Sequence, residues 1–170
     1  MTLRADAQRN LDRLLGAAAE CFAEQGVDAS VDEIARRAGV GHGTVFRRFP
    51  TKAALLAAVL GDQMRALTAT ADAALEDPDA GAGLAHFIRQ AAGAYARNRA
   101  LIDALKRCED TPPADELLAA VRRLVEHAHA AGALRRDVTA KDVLSLLPTA
   151  SAYPDVIIDG LRPQRIAFPA

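Results

Sequence analysis

The sequence predicts an all-α protein, because of its composition, its apolar spacing and its helix-ending residues. Hydrophobic residues make up 51% of the 170-residue chain and aromatic residues only 4%, so the core is built mainly from Ala, Leu and Val. Ala and Leu favour helices, and β-branched residues are sparse. A chain of this length forms one domain of ordinary size or a small module fused to a larger one.

Local signals predict three helices before residue 50. Apolar residues recur at helical spacing from about residue 7 to 25, and Gly26 is well placed to end this first helix. The motif SVDE at 30–33 has the form of a capping box, in which Ser30 caps a second helix and Glu33 reaches back to the cap. The second helix is short, because Gly39 follows soon after Ser30.

A tight turn at residues 39–41 separates the second helix from the third. Gly39 permits a positive φ in this turn, and Val40 is the apolar wedge between the two helices. The third helix spans residues 42–49 and ends before Pro50, which disfavours helical geometry at the preceding residue. Two short helices joined in this way form a helix-turn-helix, whose second helix enters the major groove of DNA.

Basic residues are concentrated around this motif, although the formal net charge of the chain is only −1. Between residues 34 and 61 there are five basic residues and no acidic one, which leaves 16 basic and 22 acidic residues elsewhere. The five are Arg36, Arg37, Arg47, Arg48 and Lys52. This asymmetry indicates a polyanionic partner, and the alternative is a solvated helix face that lacks acids. Val45 and Phe49 are spaced to face the core, which leaves His42 and Thr44 beside the arginines.

Helical patterns continue through the rest of the chain. Thr51 starts a fourth helix that runs to about Glu76, and residues 76–83 are a loop by composition. Further apolar stripes at helical spacing follow at 84–95, 101–105 and 117–128.

Helix-ending and helix-starting residues delimit the later helices. Prolines at 112 and 113 open the helix that Gly132 ends. Thr139 caps the next helix, and Pro148 kinks or ends it. A short apolar segment at 154–161 closes the fold.

Several classes of protein are excluded by what the sequence lacks. The N-terminus has no apolar stretch of the secretory type, and the longest apolar run, at 53–60, is too short to span a bilayer, which predicts a cytoplasmic protein. His127 and His129 point to opposite faces of a helix, and no catalytic or nucleotide-binding motif is present. We therefore expect no enzyme activity, no metal and no cofactor.

The two cysteines, Cys21 and Cys108, lie far apart and have no CxxC spacing. Reduced, buried thiols are expected. The alternative is a redox-sensing pair, which needs an exposed and activated thiolate.

Residues 14–59, LLGAAAECFAEQGVDASVDEIARRAGVGHGTVFRRFPTKAALLAAV, resemble the DNA-binding domain of the TetR family of transcriptional regulators. The family pattern has an Ala-x-x-x-Phe helix and a following Gly, then Ile-Ala-x-x-Ala-Gly-Val, then Gly-Thr-x-aromatic-x-x-Phe and a Lys shortly beyond. The matching residues are Ala18, Phe22, Gly26, Ile34, Ala35, Ala38, Gly39, Val40, Gly43, Thr44, Phe46, Phe49 and Lys52. Stretches at 132–147 and 159–163 also resemble C-terminal parts of some members. The resemblance implies a DNA-binding domain at 1–52 and a helical effector-binding and dimerisation domain at 53–170.

The resemblance also implies which residues meet DNA. Thr44, Phe46 and Lys52 fall where the family contacts phosphates, and the residues that fall where bases or nearby phosphates are met are His42, Gly43, Arg47 and Arg48. The sequence departs from the family at two positions. Phe46 stands where the family usually has a tyrosine that bonds a phosphate, and Gly41 stands where a Ser or Thr usually caps the recognition helix. Both departures predict a weaker hold on DNA.

In the TetR family the central helices enclose a small-molecule pocket, and the last two long helices pair in a dimer. The implied function is a homodimeric repressor that leaves a palindromic operator when an effector binds. Candidate residues for the effector pocket are Phe87, Tyr95, Leu105, Cys108, Leu124 and His127. The same residues also fit an ordinary helical core. The alternative function is a helical ligand-binding or protein-interaction protein with a weakened DNA-binding head.

Overall fold

The computed structural model describes residues 3–106 and 115–163. Within these residues it contains eight α-helices and no strand, so the all-α prediction is confirmed. The helices are α1 (Leu3–Gln25), α2 (Val31–Ala38), α3 (His42–Arg48), α4 (Lys52–Ala74), α5 (Ala80–Lys106), α6 (Asp115–Ala130), α7 (Ala140–Ala150) and α8 (Pro154–Leu161). A single 3-10 turn, Gly26–Asp28, follows α1. None of the helices in the described ranges is long and apolar enough to cross a membrane.

The chain forms two compact units, and the division between them falls inside α4 and α5. The described residues of the first unit are 3–63 and 97–106, and those of the second are 64–96 and 115–163. The domain boundary expected after residue 52 falls at the beginning of α4, ahead of this division. That boundary concerns function, and it stays a prediction.

The first unit is built around one apolar cluster to which α1 to α4 contribute. Its fully buried members include Ala18, Ile34, Val45 and Leu55. Ile102, in the α5 segment that belongs to this unit, packs against the same cluster. These four helices therefore share a single core, and this core holds α2 and α3 in place.

The turn between α2 and α3 has the geometry that the sequence predicts. Gly39 adopts φ +65°, the left-handed conformation that side chains disfavour, and Val40 is half-buried against the core. Ser30 caps α2, because its Oγ accepts a hydrogen bond from the backbone N–H of Asp32 at 3.2 Å. The other half of the predicted capping box is wrong, since the Glu33 carboxylate bonds arginines instead.

The second unit has its own core, to which parts of α4 and α5 and all of α6 to α8 contribute. Its fully buried side chains include Phe87, Val121, Leu124 and Val143. The apolar stripe predicted at 117–128 lies on the inner face of α6, where Leu118 alone among its six apolar positions is half-buried rather than buried. A regular helical stripe thus predicts the buried face of this helix correctly.

Local signals also set the ends of the later helices. Gly132 follows α6 with φ +67°, as its position in the sequence predicts. Thr139 caps α7 in a complete capping box, in which the Asp142 carboxylate accepts a hydrogen bond from the backbone N–H of Thr139 at 2.8 Å. Pro148 lies inside α7, and the helix continues two residues past it to Ala150.

The loop predicted at 76–83 is shorter than expected, because α5 already begins at Ala80. The Asp79 carboxylate accepts hydrogen bonds from the backbone N–H groups of Gly81 at 2.9 Å and Ala82 at 3.0 Å, so it caps the helix. A Cβ added to Gly83 would lie 2.4 Å from the carbonyl oxygen of Ala74. Gly83 therefore allows α4 and α5 to approach each other closely, and it is part of a helix and not of a loop.

Candidate DNA-binding surface

The recognition helix α3 is anchored on one side and exposed on the other. Val45 is 1% exposed in the core of the first unit, and Phe49 packs against the same cluster directly after the helix. The opposite faces carry the other side chains of the helix, all exposed, which are His42, Thr44, Phe46, Arg47 and Arg48. Lys52 is half-buried at the first residue of α4. The fold thus brings all seven residues predicted to contact DNA, Gly43 included, onto α3 and the start of α4.

Arg47 lies along its own helix. Its Nε donates to the carbonyl oxygen of Gly43 at 3.1 Å, and its Nη2 donates to Oγ1 of Thr44 at 3.4 Å. A guanidinium has five N–H donors, so these two bonds leave further donors for a partner. Arg47 and Thr44 therefore form one polar patch, with a cation and a hydroxyl side by side.

His42 is held by a residue that the sequence analysis missed. Its Nδ1 contacts Oδ1 of Asp32, which lies near the start of α2, and its ring lies against Phe46 with the ring centroids 4.5 Å apart. This cluster of three side chains spans the helix-turn-helix. No sequence signal pairs residues 32 and 42, because the contact depends on how α2 and α3 fold back on each other.

Two of the five basic residues near the motif are engaged by carboxylates. Arg37 bonds Glu24 of α1, with Nη2 to Oε2 at 2.7 Å, and also bonds Glu33, with Nε to Oε1 at 2.8 Å. Arg36 bonds the same Glu33 carboxylate at 2.7 Å. We call these four residues the Arg37 network. The sequence window that showed no acidic residue begins at Ile34, one position after Glu33.

Hydrogen bonds within the Arg37 network stabilise the charged forms of Glu24, Glu33 and Arg37. The hydrogen bond from Arg37 holds the pKa of Glu24 below its usual range, and the hydrogen bonds from Arg36 and Arg37 do the same for Glu33. The bonds to Glu24 and Glu33 raise the pKa of Arg37 in turn. Arg36 and Arg37 are therefore already matched by carboxylates, and the cations left for a polyanion are chiefly Arg47, Arg48 and Lys52.

An arginine of α1 lies beside the turn and was also missed. Nη1 of Arg13 is 3.9 Å from the position that a Cβ on Gly39 would occupy, and the Arg13 side chain is exposed. It lies outside the basic window of the sequence because it belongs to another helix. Packing alone brings it to the helix-turn-helix.

The residues predicted to line an effector pocket fall in different environments. Phe87 and Leu124 are buried in the core of the second unit, and Tyr95 is half-buried against that core. His127 is exposed on α6. Cys108 and the side chain of Leu105 lie outside the described residues. The structure thus brings Phe87, Tyr95 and Leu124 into one cluster and leaves His127 out of it.

Two open grooves of the second unit lie away from these residues. One, of about 680 Å³, is lined by residues such as Thr70, Glu76 and His86. The other, of about 620 Å³, includes Asp79 and Arg89 in its walls. In the described ranges, no cluster of three or more His, Cys, Asp or Glu side chains could hold a metal ion.

Cys21 is buried in the core of the first unit. Burial raises the pKa of its thiol, an effect that the positive charge of Arg37 partly opposes. A buried thiol with a raised pKa is a poor nucleophile, as the sequence analysis expected for Cys21. Cys108 lies outside the described residues, so the possibility of a redox pair stays untested.

Two family models match different parts of the chain, and together they cover 133 of its 170 residues. The model described as "Bacterial regulatory proteins, tetR family" matches residues 14–59, and the model described as "Transcriptional regulator SbtR-like, C-terminal domain" matches residues 77–163. This chain belongs to the TetR family. The family is one of DNA-binding transcriptional regulators, not of enzymes, so the predicted family and class are confirmed.

Solved structures of other TetR-family proteins are similar over most of the chain. A TetR transcription regulatory protein from Mycobacterium vanbaalenii is 40% identical, with a TM-score of 0.79, and the match covers 94% of this chain and 99% of that one. The TetR regulator SCO0520 from Streptomyces coelicolor is 30% identical, with a TM-score of 0.70 and coverage of 90% and 98%. Each of these similarities therefore extends over residues of both compact units.

Curated relatives match a shorter part of the chain. The transcriptional regulator SrpR from Pseudomonas putida is 44% identical over 64 residues, which is 37% of this chain and 30% of SrpR. TtgW from the same species, named as an uncharacterized HTH-type regulator, is also 44% identical over 64 residues, which is 48% of its length. The matched segment thus spans less than half the length of each of these relatives.

Proposed function

We propose that this TetR-family protein binds a specific palindromic DNA operator as a dimeric repressor and leaves it when a small-molecule effector binds. The observation that carries the proposal is the two-sided character of α3. Val45 fixes the helix to the core, while the exposed faces present His42, Thr44 and two arginines. A short helix held in this way fits the major groove, with its N-terminal residues towards base edges.

The proposed contacts follow from side-chain chemistry and position. Arg47 and Arg48 suit guanine O6 and N7, and His42 and Gly43 lie at the helix end that approaches the bases. Thr44, Phe46 and Lys52 are assigned to the phosphate backbone, where contacts fix register without reading sequence. The role of Arg47 is supported by the further N–H donors that its guanidinium keeps beyond its bonds to Gly43 and Thr44.

Dimerisation is proposed through the C-terminal helices. Tyr153 and Val156 are 63% and 69% exposed at the start of α8, beside the half-buried Ile157. Large apolar side chains exposed together are typical of surfaces that a partner covers. A second copy related by a two-fold axis would let two α3 helices read half-sites about 34 Å apart. We assign DNA binding to 1–52 and effector binding and dimerisation to 53–170, and we propose that the protein is cytoplasmic.

The effector is proposed to be small and largely apolar. Phe87, Tyr95 and Leu124 belong to one apolar cluster of the second unit, and the chain is poor in aromatic residues overall. An effector that binds one arrangement of the dimer more tightly shifts the population away from the DNA-competent one.

A second candidate function is a helical ligand-binding or protein-interaction protein whose DNA-binding head is weakened. Two observations favour it: no side chain caps α3 at Gly41, and Phe46 has no hydroxyl to offer a phosphate. The two candidates differ in whether the purified protein selects a DNA sequence.

Selection of bound duplexes from a random DNA pool decides between them. We expect an inverted repeat to be enriched, with an affinity that falls steeply as salt is raised, because cations that meet phosphates release counterions. The measurement is a titration of the enriched duplex at two salt concentrations. No enriched repeat, from protein that is folded and helical by circular dichroism, would contradict the operator-binding proposal and favour the second candidate.

Replacing Arg47 and Lys52 separately is expected to give different losses. Arg47→Ala weakens operator binding by about 1–3 kcal/mol and relaxes the preference at one base pair, whereas Lys52→Ala weakens all duplexes alike and lowers the salt slope by about one. Titrations of operator and scrambled duplexes measure both effects. Arg122→Ala, which removes an exposed arginine of α6, is the matched control and should bind like the parent protein. If Arg47→Ala and Lys52→Ala also bind like the parent, the contact assignments are wrong.

A further inference from the structure

The contact between Asp32 and His42 gives the recognition helix a feature that its sequence alone does not reveal. Asp32 and His42 are 76% and 55% exposed, so both side chains lie on the surface of the helix-turn-helix. Nδ1 of His42 contacts Oδ1 of Asp32, and the ring rests against Phe46 one turn further along α3. A carboxylate from one helix and an aromatic ring from the other therefore hold the imidazole in one orientation.

This arrangement selects one tautomer of the imidazole. An ionised carboxylate only accepts hydrogen bonds, so the Nδ1 atom that contacts it carries the proton. In the neutral ring Nε2 then has a lone pair and acts as an acceptor. Because Asp32 occupies Nδ1 and Phe46 covers one face, Nε2 is the polar atom of His42 that is left for a partner.

An acceptor at this position differs in chemistry from the three cations of the proposed surface. Arg47, Arg48 and Lys52 can only donate hydrogen bonds, and they suit phosphates or guanine. In the major groove the donor groups of bases are the exocyclic amino groups, N6 of adenine and N4 of cytosine. His42 is the first residue of α3, and the N-terminal residues of such a helix approach base edges.

We propose that Asp32 is a positioning residue for base recognition: it holds His42 with Nε2 outward, and Nε2 accepts a hydrogen bond from the exocyclic amino group of an adenine or a cytosine in each half-site. This inference rests on the proposed function, because it requires that α3 binds operator DNA. It assigns a role to an acidic residue that does not itself touch DNA.

The proposal predicts a pH dependence with a definite sign. The charged group that contacts His42 from α2 is Asp32, and on α3 the neighbouring cation Arg47 is turned towards Gly43 and Thr44. Protonation of the imidazole converts Nε2 from an acceptor into a donor, so the contact with an amino group is lost. Discrimination by His42 therefore belongs to the neutral imidazole and falls as the pH is lowered, because the protonated ring has no acceptor.

The test uses the full chain and the operator found by selection. Duplexes are prepared in which one adenine is replaced by purine, or one cytosine by its analogue without the 4-amino group, position by position. At about pH 8, one such deletion is expected to lower the affinity of the parent protein about tenfold. Purine substitution and cytosine-analogue substitution distinguish the two possible bases. His42→Ala and Asp32→Ala should bind the parent and analogue duplexes equally, and the double variant should be no worse than either single one.

Asp32→Asn is the conservative control, because its amide oxygen still accepts a hydrogen bond from Nδ1 while the charge is removed. It is expected to keep the discrimination that Asp32→Ala loses. A purely structural role for Asp32 would lower affinity for every duplex and leave the dependence on the amino group intact, which would overturn the proposal.

Failure of this inference is distinguishable from failure of the proposed function. Parent protein that selects an operator, and loses affinity when Arg47 is replaced, establishes DNA recognition independently of His42. If that protein is insensitive to every amino-group deletion, or if its affinity for all duplexes rises as the pH falls, His42 does not accept from a base. The second result would indicate a protonated His42 that donates to a phosphate.

Discussion

Replacing Phe87 with alanine is expected to lower the free energy of unfolding by about 3–5 kcal/mol. The side chain is fully buried in the core of the second unit, which also contains Val121, Leu124 and Val143. Its removal loses the transfer free energy of a phenyl group and leaves a cavity that the neighbouring helices cannot fill completely. Urea unfolding followed by circular dichroism measures the loss as a lower midpoint at an unchanged slope.

His86→Ala is the matched control, because His86 precedes Phe87 on α5 and is exposed. We expect it to change the free energy of unfolding by no more than about 0.5 kcal/mol. The comparison also tests the role of Phe87 as a pocket residue. A loss below about 1 kcal/mol for Phe87→Ala would contradict dense packing and would show that the ring lies at the wall of a cavity, since a wall residue gives up fewer contacts.

Replacing Ile34 with alanine is expected to cost about 2–5 kcal/mol and to abolish operator binding at protein concentrations where the parent binds. Ile34 is fully buried on α2, in the cluster that also contains Val45 of α3. The side chain is fully buried and cannot meet DNA itself, so its effect on binding arises through the placement of α3. Urea unfolding and operator titration of the same preparation measure the two losses together.

Val31→Ala provides the comparison for Ile34→Ala, because Val31 lies on the same helix but is only half-buried. It should lose less stability and keep operator binding, since a partly exposed side chain leaves a smaller cavity. Ile34→Ala protein that loses stability but binds the operator like the parent would contradict the explanation through the placement of α3.

The sequence predicts most closely those features that depend on neighbouring residues. The ends of α1, α2 and α6 follow from Gly26, Gly39 and Gly132, all of which have positive φ. The cap at Thr139 is predicted for a similar local reason, as its partner Asp142 is three residues away. Helix positions, the exposed face of α3 and the buried stripe of α6 are therefore accessible without a structure.

Features that depend on tertiary contacts are not predicted. Composition predicts that Gly83 is part of a loop. In the structure it lies in α5, and the carbonyl oxygen of Ala74 on α4 occupies the space that a side chain would need. The pairing of Asp32 with His42 joins two helices across a turn. An apolar stripe that lines a cavity has the same spacing as one that fills a core, so periodicity could not separate the two roles proposed for Phe87.

The Arg37 network has an evolutionary consequence for operator search. A regulator finds its site among a vast excess of other DNA, and each free cation near the recognition helix increases its affinity for all of that DNA alike. Glu24 and Glu33 keep two arginines occupied within the protein. A neutral residue at either position would release positive charge beside the helix-turn-helix, and the protein would dwell longer on irrelevant sequences. Under the proposed function, selection for a fast and discriminating search would therefore act on Glu24 and Glu33, whose described bonds are to arginines of the protein itself.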